Sequence, residues 1–440
     1  MVVTWHHRAM TAGLSPQVER ARQGFGDRNP TSRRYFETAR QVLPGGHTRT
    51  VLAHVPFPLL FVGGEGGTLT DADGHRYIDL LGDYTAGLLG HSDRRVLDAV
   101  VRALSTNASV GGIHPAEEAL ARLMCERFGL DRVRFTNSGT EANLMAITSA
   151  LQVTGRSKVM VFRGGYHGGL LYFSNGAAPW NAPYDFVIGP YNDREATIGL
   201  IQEHGRDLAA LLVEPMLGAG GCIPGAIDFL ESAFEAAREA GAVVIADEVM
   251  TSRHGPAGMA NLLGVRADLS TFGKYVGGGF SFGAFGGTAA LMDQYDTSPA
   301  VGRTNVISHA GTFNNNLATM TAGTVVLGEV FTPAVAIEHT ARGEEFRKLV
   351  STVLAGSGLG VTVTGFGSMM SLHARTPAPI NAAQAADRDE ALQELIFLGL
   401  LERGIYTAPR GMINLSLAHT DDHLAEGLEA LADCLQGIGG

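Results

Sequence analysis

Between Pro16 and Leu43 the residues Val18, Phe25, Tyr35, Phe36, Ala39 and Leu43 recur at helical spacing. They predict two short amphipathic helices, closed by the breaker Pro44-Gly45-Gly46. After an irregular stretch, residues 57–62, 68–70 and 77–80 form short apolar runs separated by the glycine-rich 63–67 and by Asp71-Ala72-Asp73-Gly74. They read as antiparallel strands joined by turns. The Asp-Ala-Asp-Gly segment lacks the continuing ligand pattern and closing Glu of a calcium loop, so its acids read as turn residues.

From about Arg132 the pattern changes to short β-branched runs alternating with helical stretches, the signature of a parallel sheet with crossover helices. Strands are expected at 132–135, 158–162, 210–213, 243–246 and 269–271, with helices at 141–152 and 227–240. A long apolar stretch, 317–331, leads into a C-terminal α+β portion with a strand near 361–364 and a helix near 387–401. Repeats and low-complexity tracts are absent.

Composition narrows this picture. A chain of 440 residues, 45% hydrophobic and 18% charged, can bury a large core and is too apolar for global disorder. Its net charge of -11 argues against nucleic acid or an anionic membrane as partner. The three cysteines are scattered without a Cys-x-x-Cys pair, so neither a disulfide framework nor a thiolate zinc site is expected. No apolar run has signal-peptide or membrane-span length, which together with the cysteines predicts a cytoplasmic protein. His419 and His423 have ligand spacing, but Thr420-Asp421-Asp422 between them reads as a helix cap and first turn, and no metal is expected.

Three features fall at strand ends. Thr136-Asn137-Ser138-Gly139-Thr140-Glu141-Ala142 is a polar turn between a strand and a helix, suited to a phosphate or to simple helix capping. The run 243–249 is an apolar strand ending in Asp247 and Glu248, at the edge where parallel sheets bind ligands; such acids also hold Mg²⁺ or cap helices. Lys274 follows a third strand and precedes glycines, but Asp268 and Tyr275 stand where a phosphate-loop motif needs Gly and Ser or Thr. A phosphate cup, a buried acid and a lysine amine on neighbouring strand ends are together what pyridoxal phosphate (PLP) needs.

Asn137-Ser138-Gly139-Thr140-Glu141-Ala142, Gly165-Tyr166-His167-Gly168, Glu214-Pro215, Asp247-Glu248-Val249, Gly273-Lys274 and His309-Ala310-Gly311-Thr312 resemble, in order and spacing, the motifs of class III PLP-dependent aminotransferases. The resemblance runs from about Tyr35 to Leu435. It implies an α/β protein of PLP-dependent transferase fold type I, with a mostly parallel sheet in a large domain (106–334). A smaller α+β domain would come from the two chain ends (1–105 and 335–440). It implies Lys274 as the Schiff-base lysine, Asp247 as partner of the pyridinium, and Ser138, Gly139 and Thr140 as the phosphate cup. Tyr166 would stack on the ring with Val249 on its other face, His167 would complete the cofactor site, and Glu214 would orient its neighbours. Thr312 would reach the cofactor of the neighbouring subunit in a homodimer.

Within the family, glutamate-1-semialdehyde aminomutases resemble Pro-Gly-Gly-Val-Asn-Ser-Pro-Val-Arg where this chain reads Pro44-Gly45-Gly46-His47-Thr48-Arg49-Thr50-Val51-Leu52, with the arginine three places earlier. Ala219 follows Gly218 where the aminomutases have asparagine, and Arg410 stands where they tend to carry glutamate. Arg49, Thr48, Val51, Phe57, 84–86, 313–316 and 406–411 look instead like β-phenylalanine aminotransferases. Val110-Gly111-Gly112-Ile113-His114 and Ala178-Pro179-Trp180-Asn181 depart from that pattern near the substrate entrance. Two arginines offer two carboxylate forks, as a transaminase handling an amino acid and then a dicarboxylic keto acid requires. The expectation is a β-amino acid:2-oxoglutarate aminotransferase working by a ping-pong cycle, with Arg49 and Arg410 binding substrate; the alternative is the aminomutase.

Overall fold

The computed structural model describes residues 15–106, 111–174, 176–298 and 305–439. Two helices, Ser15–Arg28 and Pro30–Ala39, open the described chain as the apolar spacing predicts. Strands β1 (Phe61–Glu65), β2 (Thr68–Asp71) and β3 (Arg76–Asp79) follow. The first lies later than expected: Gly63, Gly64 and Glu65 belong to the strand, and the turn falls at Gly66, φ +54°. Phe57 instead joins an aromatic cluster with Phe25 and Phe36, at ring distances of 5.2 and 6.5 Å. Asp71 accepts the amides of Asp73 and His75, and Asp73 accepts those of Thr31 and Ser32 at the start of the second helix. Both carboxylates thus satisfy backbone donors.

The central sheet comprises β4 (Arg132–Thr136), β5 (Lys158–Phe162), β6 (Asp185–Gly189) and β7 (Leu208–Val213). After a short hairpin, β8 (Met216–Leu217) and β9 (Ile223–Pro224), it is completed by β10 (Val243–Asp247), β11 (Leu269–Gly273) and β12 (Gly283–Gly287). Its order is β4-β12-β11-β10-β7-β5-β6. All five expected strands are present, and β6 and β12 are additional. Strand β12 runs antiparallel to both its neighbours, so the sheet is mostly, not wholly, parallel.

Glycine hides β12 from a hydrophobic pattern, and the packing requires it. A Cβ on Gly283 would lie 2.1 Å from the Ser138 carbonyl oxygen, and one on Gly287 2.1 Å from that of Asp268. Side-chain-free backbone lets three strand ends crowd together. The register then lines them up: Gly283 pairs with Thr136 on one side and Gly273 on the other, while Asp247 pairs with Thr271. The polar turn after β4 and Lys274 after β11 therefore flank one glycine, with Asp247 on the next strand.

The C-terminal part adds β13 (Thr362–Phe366) and β14 (Met369–His373), then β15 (Ile405–Tyr406) and β16 (Met412–Asn414). Strand β15 pairs in parallel with β3, and Ile78 and Leu80 share a core with Phe346, Met370, Leu400 and Leu431, so the two ends of the chain fold as one body. The apolar stretch near 317–331 is a helix, Leu317–Val325, continued by one π-turn, Val326–Val330; Met320, Ala322 and Val326 are buried in the large core. Among the described residues no single helix is long and apolar enough to cross a membrane.

Replacing Gly283 by alanine forces a methyl against the Ser138 carbonyl. We expect Gly283→Ala to lower stability by about 1–3 kcal/mol and to weaken PLP retention, read by thermal unfolding and by cofactor loss on dialysis. Gly63→Ala, whose Cβ would meet nothing within 4 Å, is the control; equal behaviour of the two variants would refute the packing account.

Candidate active site

Asp247 ends a strand buried at every position and is itself 3% exposed. A carboxylate there needs donors. Asn143 Nδ2 donates to its Oδ2 at 2.8 Å, His167 Nδ1 lies 2.7 Å from the same oxygen, and the Val249 amide donates to Oδ1 at 3.0 Å. Asn143 is fixed in turn: its Oδ1 accepts the Thr271 hydroxyl at 2.8 Å, and its amide also reaches the His167 carbonyl. His167 is enclosed, with its ring against Asp247 and its Nε2 buried without a partner. Glu248 accepts from Thr251, Met259 and Ala260, tying down the chain after the strand.

Helix Gly139–Thr154 begins at the cup. Ser138 caps it, its Oγ accepting the Glu141 amide at 3.2 Å, while Glu141 returns to the Asn137 amide at 2.9 Å. The Gly139 and Thr140 amides lie in the first turn, where no intrahelical acceptor exists, and the capping hydroxyl of Ser138 still has a proton to donate. A Cβ on Gly139 would lie 2.8 Å from Val249 Cγ2, and one on Gly168 2.1 Å from Thr140 Oγ1, so the cup is walled by Val249 and by the loop carrying Tyr166. Tyr166, 39% exposed, has its amide on Glu214 Oε2 at 3.0 Å. Glu214 also accepts the Gly218 amide, and burial pushes its carboxyl up to about 7, against the pull of His167 and with Asp247 adding to the rise.

Lys274 follows Gly273 with φ +56°, a left-handed conformation that is uncommon for a side chain of this size. Burial lowers its amine to about 8. Asp83 and Asp247 oppose that fall, and Arg49 and Arg410 reinforce it. Those two arginines approach one ring: the Cζ atoms of Arg49 and Arg410 lie 5.6 and 5.0 Å from the centroid of Tyr84, which is 5% exposed. Arg49 Nη1 meets Asp83 Oδ1 at 2.5 Å, whereas Arg410 makes no ion pair among the described residues and donates to the Met412 sulfur. Thr312 is exposed on a segment tied to the cup by Asn314, whose Oδ1 accepts from Asn137 at 2.9 Å. Of the entrance residues, Ile113 and Trp180 are 92% and 47% exposed; Val110 lies outside the described residues. His419 has both ring nitrogens engaged, with Ser416 and with the Asp79 carbonyl.

Hydrogen bonds, close approaches and electrostatic couplings thus bring Ser138, Gly139, Thr140, Tyr166, His167, Glu214, Asp247, Val249, Lys274, Arg49 and Arg410 into one region of the fold. Sequence reasoning missed Asn143, Thr271 and Asp83. A polar, poor helix former in the interior of helix Gly139–Thr154 is a signal for Asn143; nothing in the pattern marks the other two.

The model of class III aminotransferases matches residues 52–435. This chain belongs to that PLP-dependent family and is an aminotransferase. It is 46% identical to the β-phenylalanine transaminase of Variovorax paradoxus over 434 residues, 98% of each chain. The crystal structure of the β-phenylalanine aminotransferase from that organism superposes with a TM-score of 0.94, over 97% of this chain and 98% of the other. A glutamate-1-semialdehyde 2,1-aminomutase of Deinococcus radiodurans is 36% identical over 94% of this chain and 99% of its own.

The donor set fits the family's cofactor. A helix start with free amides and two hydroxyls suits a phosphate, a fixed carboxylate suits a protonated ring nitrogen, and a lysine lowered to about 8 suits an aldehyde. At pH 7 such an amine is about one-tenth neutral, against well under one in a thousand at the usual value. The rate of covalent PLP capture by apo-protein is therefore expected to rise about tenfold per pH unit below 8 and level off above it. A rate still climbing at pH 9.5 would show an amine that burial has not lowered.

Proposed function

We propose that this aminotransferase moves the amino group of a β-amino acid of the β-phenylalanine type to 2-oxoglutarate in a ping-pong cycle. The observation that carries the reading is the pair of guanidinia at 5.6 and 5.0 Å from the ring of Tyr84, within electrostatic reach of the Lys274 amine. One cleft then offers two carboxylate forks, one for each substrate in turn. Similarity to a β-phenylalanine transaminase over nearly the whole chain supports the donor.

PLP, when bound, supplies an electron sink for the carbon that bears the amine. Ser138, Gly139 and Thr140 would hold its phosphate, Tyr166 and Val249 would enclose its ring, and Asp247 would keep the ring nitrogen protonated. Asn143 and His167 act through Asp247, whose orientation they fix. Glu214 anchors the Tyr166 and Gly218 amides, and so the wall of the cup. Lys274 would hold the cofactor at its Nζ, and the same amine would hold or move a proton at that atom. Arg49 binds the β-amino acid carboxylate, which stands one carbon further from nitrogen than in an α-amino acid, and Arg410 binds a carboxylate of 2-oxoglutarate or glutamate. Thr312 reaches the cofactor phosphate of a second subunit in a cytoplasmic homodimer. Residues 106–334 form the cofactor-binding domain, and 1–105 with 335–440 the smaller one.

The test is the visible absorbance of PLP-loaded protein. Adding β-phenylalanine alone, or glutamate alone, is expected to abolish it, and 2-oxoglutarate to restore it in both cases. Loss with glutamate only would overturn the donor. Arg49→Ala is expected to raise the KM for β-phenylalanine about 10- to 100-fold, the worth of a charge-assisted hydrogen bond, with a much smaller change for glutamate. Equal changes would overturn the division of labour.

A further inference from the structure

Three cations, Lys274, Arg49 and Arg410, act on the cleft, and Asp83 is the acid placed directly on one of them, Oδ1 to Arg49 Nη1 at 2.5 Å. The backbone that places it is unusual. Gly82, Asp83, Tyr84 and Thr85 are consecutively left-handed, with φ of +54°, +45°, +53° and +79°. Tyr84 and Thr85 carry side chains that rarely adopt this conformation, whereas Asp83 is of a type that tolerates it.

The loop is clamped into this shape. Asp79 Oδ1 accepts the Leu81 and Gly82 amides, each at 3.0 Å, and the Gly82 carbonyl accepts the Gly87 amide at 2.8 Å. Asn414 Nδ2 donates to the Leu81 carbonyl at 2.9 Å. The Tyr84 hydroxyl donates to the Val51 carbonyl at 2.8 Å, two residues beyond Arg49, so the loops bearing the ion pair are tied together. Strain that survives under so many constraints is characteristic of functional sites. Its products here are a carboxylate on Arg49 and an aromatic ring at 5.6 and 5.0 Å from two guanidinia.

We propose that Asp83 is an internal counter-ion, which occupies the Arg49 guanidinium in the substrate-free site and is exchanged for the carboxylate of the incoming amino acid. The proposal rests on the reading of Arg49 as a carboxylate site. Asp83 and Arg49 are 53% and 46% exposed at their side chains, so a ligand from solvent reaches the pair without unfolding the loop. The exchange replaces one carboxylate by another on the same fork and leaves its charge balanced throughout. A carboxylate enters only by outcompeting Asp83, which makes this residue a determinant of affinity and selectivity.

The experiment measures binding of 3-phenylpropanoate, the β-phenylalanine skeleton without its amine, to PLP-loaded protein by calorimetry. Five forms are compared: the unmodified protein, Asp83→Asn, Asp83→Gly, Arg49→Ala and the Asp83→Asn/Arg49→Ala double variant. Asparagine tolerates the left-handed backbone and keeps the side-chain size while removing the charge. Asp83→Asn is expected to tighten binding about two- to fivefold, as for release of a solvent-exposed pair. Arg49→Ala is expected to weaken it about tenfold or more. In the Arg49→Ala background the Asp83→Asn gain should vanish, the mark of direct coupling. Asp83→Gly, equally suited to this backbone, should reproduce the gain. Unchanged or weaker binding in both Asp83 variants, or a gain that persists without Arg49, would overturn the counter-ion. Unchanged binding in Arg49→Ala would instead overturn the carboxylate role of Arg49, and the counter-ion with it.

Discussion

Asp247 is a carboxylate at the end of a wholly buried strand, and the cleft is organised around the donors that make its burial tolerable. Asn143 comes from the helix after β4, His167 from the loop after β5, the Val249 amide from its own chain, and Thr271 holds Asn143 from β11. Removing any of them would leave a buried charge short of a partner. One acid therefore fixes the relative positions of a helix, a loop and two strands, which are the elements that also carry the cup, Tyr166 and Lys274.

Charge in the cleft is distributed by the same economy. Arg49, Arg410 and Lys274 bring three cations, and Asp83 and Asp247 bring two acids that hold the lysine from falling further than about 8. Glu214, pushed up to about 7 by burial, stands behind the Tyr166 loop. The aromatic ring of Tyr84 offers both guanidinia a π-surface, which offsets part of the cost of gathering two cations around it. Left-handed backbone from Gly82 to Thr85 is the structural cost of putting that ring and Asp83 in place.

Much of this was legible in the chain. The runs that became β5, β7 and β10 are dense in apolar residues, because their strands are buried, whereas β4 and β11 show as shorter apolar runs, in β4 interrupted by an arginine. The pattern failed where another constraint won. Strand β12 is glycine-rich because backbone from Ser138 and Asp268 occupies the space a side chain would take, and β1 includes glycines that an alternation rule assigns to a turn. Phe57, one of the positions that look like the β-phenylalanine aminotransferases, packs against Phe25 and Phe36 in the N-terminal core.

The sequence by itself determined the family, the cofactor and the residue types at three strand ends, since phosphate binding, ring protonation and amine chemistry each need particular groups in a particular order along the chain. It did not determine which groups meet. Asn143 and Thr271 are 128 residues apart, and Arg49 and Arg410 further still, so their proximity follows from the packing of helix Gly139–Thr154 on β11 and from the parallel pairing of β15 with β3. Asp83 joins them only because its loop is held left-handed by residues as distant as Asn414. Chemistry that depends on residue identity is written locally, whereas distances between charges are set by long-range packing, and only the folded chain decides them.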